Sequence, residues 1–131
     1  MTYRWVDHTA EVELEIEAAR ERDVLEEALR ALAELLGVDG PRADETRSVA
    51  VGASDRPALL AAWIEELVFL AESEGFVATR IESIDVSERS VRATVAGVLG
   101  EPPPLVKAVT YHRLAFEPAG DGYVARVVLD V

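Results

Sequence analysis

Between residues 11 and 17 the chain alternates without a break, with Glu11, Glu13, Glu15 and Glu17 on one parity and Val12, Leu14 and Ile16 on the other. A period of two belongs to a strand with one wet and one buried face. The period then changes. Leu25, Ala28, Leu29, Leu32 and Leu36 recur at helical spacing, Asp23 and Glu26 have the form of a capping box, and Gly37 ends the run. Val38 to Thr46, with Gly40-Pro41, reads as a loop, and Arg47 to Val51 as a short strand. A second helix starts near Ser54 or Asp55 and takes Pro57 in its first turn. It sets Leu60, Trp63, Ile64, Leu67 and Ala71 on one face before Gly75 stops it.

From there the pattern is β to the end: Phe76 to Val86, Ser90 to Val98, Val106 to Phe116 and Tyr123 to Val131. The run Pro102-Pro103-Pro104 interrupts it, and Ala119-Gly120-Asp121-Gly122 marks a hairpin turn. With the strand-like Tyr3-Arg4-Trp5-Val6 at the start and no internal repeat, the expectation is an α+β fold. Two helices pack on one or two mostly antiparallel sheets.

Composition narrows the function classes. At 131 residues the chain suffices for one domain, residues 1–131, with a real core. Its 13 basic groups against 25 acidic ones leave a net charge of −12. That balance argues against direct nucleic-acid binding, which neutralises phosphates with Lys and Arg. With no cysteine, disulfides, zinc thiolates and cysteine nucleophiles are excluded. No signal pattern opens the chain, and no apolar stretch approaches the roughly 20 residues of a membrane helix. A cytoplasmic location and no membrane partner are expected.

Both histidines and the single lysine fall in two short stretches, Asp7-His8-Thr9-Ala10-Glu11 and Lys107-Ala108-Val109-Thr110-Tyr111-His112. Asp7-His8 invites a catalytic reading, since a carboxylate can fix an imidazole tautomer. No nucleophile motif such as Gly-x-Ser-x-Gly accompanies it, and a structural histidine at a turn is an equal reading. In a regular strand Lys107, Val109, Tyr111 and Arg113 share one face and Ala108, Thr110, His112 and Leu114 the other. Lys107 and His112 then reach one pocket only if the strand bulges. A hard cation is the alternative, because calcium and magnesium take oxygen donors gathered from different elements. Glu11, Asp130 and the adjacent terminal carboxylate of Val131 are the candidates. Each has an ordinary explanation too: Glu11 is one of four alternating glutamates, and Asp130 can pair with Arg126.

With these stretches laid out, the sequence resembles the archease family from end to end. The resemblance is carried by Tyr3-Arg4-Trp5-Val6-Asp7-His8-Thr9-Ala10-Glu11-Val12, Leu25-Glu26-Glu27-Ala28, Leu59-Leu60, Trp63-Ile64-Glu65-Glu66-Leu67, Gly100-Glu101, Val106 to His112, and the ending Val127-Val128-Leu129-Asp130-Val131. It implies a non-enzymatic accessory protein of the RtcB-type RNA ligase that joins tRNA halves and other RNA ends. Such a protein promotes guanylylation of the ligase by GTP and supports multiple turnover, meeting GTP only through the ligase. It also implies a divalent cation, calcium, held by Glu11, Asp130 and Val131, with Asp7 a further ligand. Lys107 matches a lysine linked to activity, with His8 and His112 as further contributors to ligase activation. One departure is visible: the family motif usually reads Asp-His-Thr-Ala-Asp, and here the second acid is Glu11, one methylene longer. The rival readings are a general chaperone of RNA-modifying enzymes such as methyltransferases, and a metal-dependent hydrolase with His8 as base.

Overall fold

The fold is that of a computed structural model describing residues 1–8 and 10–131, the side chains of Asp7 and His8 excepted. Nine elements follow one another: β1 (Thr2–His8), β2 (Glu11–Ala18), α1 (Glu21–Leu35), β3 (Glu45–Gly52), α2 (Arg56–Glu74), β4 (Phe76–Val86), β5 (Ser90–Leu99), β6 (Ala108–Ala119) and β7 (Gly122–Asp130). The strands form two antiparallel sheets, one ordered β1-β2-β7-β6 and the other β3-β5-β4. The expected α+β architecture is the observed one.

Each helix packs on both sheets, α1 mainly on β4 and β2, α2 mainly on β6, β4 and β3. A single cluster of buried side chains therefore runs from Leu14, Ile16, Val127 and Leu129 of the first sheet, through both helices, to Val49, Val91 and Val95 of the second. Helix α2 is buried beyond the one stripe read from its sequence, since Leu59, Ala61 and Leu70 also lie inside. Trp63, fully enclosed, donates its indole N–H to the Leu25 carbonyl at 3.0 Å and so ties α2 to α1.

Local chemistry explains the ends of α2. Asp55 accepts from the Ala58 amide at 2.9 Å as N-cap, Pro57 sits in the first turn where no donor is needed, and Gly75 closes the helix at φ 69. Gly75 also has Gly100 against it, with amide to carbonyl at 2.9 Å and no room for a Cβ. Helix α1 begins at Glu21, two residues before the start read from the pattern. Asp23 is therefore no N-cap. It lies in the first turn, nearly buried, and takes two hydrogen bonds from the Arg20 guanidinium at 3.0 and 3.2 Å. Strand β6 starts at Ala108 rather than Val106 and extends to Ala119.

Gly97 in the central strand β5 lets the β4 backbone come close, since a Cβ there would stand 2.1 Å from the Val77 carbonyl oxygen. Gly97→Ala is expected to cost about 2 kcal/mol or more through forced separation of β4 and β5, read as a lower urea midpoint with unchanged slope. The Tyr3 hydroxyl, pushed up from 10.0 to about 12 by burial and by donating to Glu34, gives an alkaline signature. The folded state favours the protonated phenol, so its contribution is whole below pH 10 and is lost as pH rises through about 12. Urea titrations across that range should show a steeper loss of stability in the wild type than in Tyr3→Phe.

Candidate functional site

The register of the first sheet gathers most of the sequence-predicted residues at one end. In the β2–β7 pairing Glu11 lies directly opposite Asp130, in β1–β2 His8 lies opposite Glu11, and in β6–β7 Ala108 lies opposite Asp130. Directly opposed residues share a face with Cβ atoms about 5 Å apart, so the Glu11 and Asp130 carboxylates start from neighbouring points. The ends are laced together by backbone: the Lys107 amide donates to the Asp130 carbonyl at 2.7 Å, and the Val131 amide to the Ala10 carbonyl at 3.1 Å. Four strand ends, from both termini of the chain and from the start of β6, thus meet in one row. Glu11, Asp130 and Val131 are each half-buried, and Lys107 is exposed.

Asp130 does not form the pairing with Arg126 that its sequence position allows. The Arg126 side chain donates instead to the Arg113 carbonyl at 2.8 Å. Among the described residues Glu11, Asp130 and Lys107 make no side-chain hydrogen bond or ion pair. The side chains of Asp7 and His8, both sequence candidates, lie outside the described residues. Among the described residues no three His, Asp or Glu side chains are grouped to hold a metal ion. What the sheet end offers is two opposed carboxylates and the main-chain oxygens of Val131, an all-oxygen set of the hardness that calcium or magnesium takes.

One row inward, the wet-face reading of β2 fails at Glu13. Glu13 is 2% exposed, and its register partner Val128 is also buried although it lies on the same outer side. Part of the contact to Glu13 comes from β6. Between Thr110, opposite Val128, and Ala115, opposite Arg126, four residues of β6 face a single residue of β7. This bulge is the condition under which strict alternation from Lys107 to His112 breaks down. Arg113, held in the left-handed region at φ 60, sends its guanidinium to Glu13 at 2.9 Å across the sheet. The segment leaves Tyr111 65% exposed and His112 exposed beside it. The one other non-glycine residue with positive φ among those described is Ala10, also at φ 60, in the turn before Glu11. Left-handed backbone at such residues carries a cost and concentrates where function holds it in place. Sequence reasoning placed Glu13 and Arg113 on faces but missed their pairing. The available signal was the run of three polar or aromatic residues, Tyr111-His112-Arg113, where a half-buried strand should alternate.

Next along β2, Arg4 of β1 reaches Glu15 at 2.9 Å and its hydrogen bond holds that carboxyl below the usual range.

With the fold and this sheet end defined, comparison with known proteins becomes informative. The sequence profile of the Archease protein family (MTH1598/TM1083) matches residues 3–131. The chain belongs to the archease family. The Methanosarcina acetivorans archease is 32% identical over 98% of this chain and 95% of its own, and the Archaeoglobus fulgidus archease 30% identical over the whole of both. The solution structure of Methanobacterium thermoautotrophicum protein 1598 superposes with a TM-score of 0.70 at 26% identity, covering 98% of each chain. The crystal structure of a Thermotoga maritima archease, described as a possible chaperone, gives 0.69 at 23% identity over 100% of this chain and 98% of that one. That last likeness speaks for the archease fold alone. No helix among the described residues is long and apolar enough to cross a membrane.

The Glu13–Arg113 pair yields a direct test. Glu13 is enclosed while Arg113 is about half exposed, so removing the cation takes a charged partner from a buried carboxylate. Arg113→Met is expected to destabilise by about 2 kcal/mol. Glu13→Leu combined with Arg113→Met should recover most of that loss in a double-mutant cycle by chemical denaturation.

Proposed function

We propose that this archease-family protein acts without catalytic chemistry of its own, as an activator of an RtcB-type RNA ligase. It promotes guanylylation of the ligase from GTP and supports multiple turnover in tRNA splicing and RNA repair. The observation that supports this most is the alignment of Glu11 with Asp130 next to Val131 and Lys107, at one sheet end of a chain with the family's full-length sequence pattern. On this reading Glu11, Asp130 and the Val131 oxygens hold a divalent cation, calcium, with Asp7 as a further ligand. Glu11 stands where the family motif usually has aspartate, and its longer side chain reaches farther across the strand pair.

When bound, the cation supplies a fixed positive charge at a sheet end made of carboxylates. The protein's own groups do the rest. The β2–β7 ladder holds the two carboxylates in register, Lys107 presents an ammonium to a phosphate or a ligase carboxylate, and the clamped bulge carries His112 and Tyr111 beside it. His8 is assigned to the same contact surface. The net charge of −12 suits docking against the basic, RNA-binding mouth of a ligase, where complementary charge speeds association and GTP is met only through the partner.

The test is a reconstitution with a cognate RtcB-type ligase, GTP and manganese, following covalent guanylate per ligase over time. Wild-type protein should accelerate guanylylation, and Asp130→Ala should lose both calcium binding and at least tenfold of the acceleration. Full acceleration by Asp130→Ala sinks the metal-centred account, and no acceleration by the wild type sinks the ligase reading.

A second reading, a general chaperone of RNA-modifying enzymes such as methyltransferases, draws on the exposed apolar side chains Phe69, Leu99 and Leu105 and on the description of the Thermotoga maritima relative. It predicts protection of several client enzymes from aggregation and indifference to Lys107→Ala.

A further inference from the structure

Away from the sheet end, α1 walls a cavity of about 410 Å³, closed by Tyr3 of β1, by the loop running from Val38 to Pro41, and by Thr79 of β4. Three carboxylates line it: Glu27 and Glu34 from α1 and Asp39 from the loop. An acidic lining alone says little, because this protein is acidic everywhere. Glu27 is different, since it is 5% exposed and, among the described residues, has no hydrogen bond or ion pair.

The side-chain donors of the cavity wall have partners elsewhere. The Tyr3 hydroxyl donates to Glu34, and the Thr79 hydroxyl donates to the Arg42 carbonyl at 2.7 Å. Arg30, the cation of the lining, is paired with Glu26 at 3.2 Å. At the lip, Arg80 is spent on Glu82 and the Pro41 carbonyl, both at 2.9 Å. The Glu27 carboxylate opens onto this cavity while the rest of the side chain is buried, and a carboxylate so placed without a protein donor is poorly compensated. Burial accordingly pushes the Glu27 carboxyl above its usual range, with Arg30 only partly opposing. A residue left so exposed to this cost, at the edge of an open space, is completed by a ligand that brings its own donors and positive charge.

The remaining chemistry narrows the ligand. Among the described residues no trio of acidic side chains is grouped tightly enough for a metal ion. Ala33, Val38 and Pro41 supply apolar wall between the charges, suited to methylene groups. Glu27 and Glu34 are seven residues apart, close to two turns, or about 10 Å along the helix. We propose that this cavity binds an aliphatic polyamine, with one ammonium on Glu27, another on Glu34 or Asp39, and the methylene stem along Ala33, Val38 and Pro41. The volume is within the roughly 300–1,000 Å³ of ordinary small-molecule sites. This site is independent of the ligase reading and is tested without the ligase.

Equilibrium dialysis of labelled spermidine against the full chain should give one saturable site that millimolar magnesium does not empty. Glu27→Gln, which keeps the shape and removes the buried charge, should weaken spermidine at least tenfold without lowering the melting temperature of the free protein. Glu34→Gln, an exposed change, should weaken spermidine several-fold and leave the monoamine n-butylamine unaffected. The proposal is overturned if no saturable site is found, if millimolar magnesium displaces spermidine, or if Glu27→Gln binds it as the wild type does.

Discussion

The pairing register of β2 with β7 is the constraint on which both core and candidate site depend. It sets Leu14 opposite Val127 and Ile16 opposite Ala125, all four inside the core, and the same ladder sets Glu11 opposite Asp130. Strand side chains alternate with period two, so a slip of one residue would turn Leu14 and Ile16 to water and drive glutamates inward. The hydrophobic requirement is therefore what keeps two like-charged groups adjacent at the sheet end. Repulsion between Glu11 and Asp130 cannot adjust the register, because every core contact of the first sheet opposes the shift.

The outer side of that sheet is governed by a second device. Glu13 and Val128 are buried on that side, and the regular β6–β7 pairing is interrupted beside them between Thr110 and Ala115. The cost of a left-handed Arg113 and of a nearly enclosed carboxylate is offset by three linked groups. Arg113 reaches Glu13 with its guanidinium, while Arg126 holds the Arg113 backbone by its carbonyl. Tyr111 and His112 lie exposed within the same segment.

Much of the fold was legible because its elements are locally consistent. Alternation in residues 11–17, the helical spacing of Leu25 to Leu36, the Asp55 and Gly75 boundaries of α2 and the Gly120-Asp121 turn agree with the packing they enter. The misplaced start of α1 shows where local signals compete. Asp23 with Glu26 has capping-box form, yet the chain is already helical at Glu21, and Arg20 takes the Asp23 carboxylate as its own partner. Glu27 misleads in another way. It sits among Leu25, Ala28 and Leu29, and nothing in its spacing separates a glutamate at the helix edge from one lining a cavity.

Sequence alone determined the class of the fold, its element order and the identity of the scarce groups, because periodicity, capping and turn chemistry act within a few residues. The family pattern at the two chain ends is likewise a property of the sequence. What only the tertiary structure decided is which of those groups meet. Glu11 and Asp130 are joined by strand register across more than a hundred residues, Glu13 is met by Arg113 of a strand it does not directly pair with, and Glu27 lines a cavity bounded by separate segments. Each depends on long-range packing, and long-range packing leaves no local periodicity to read.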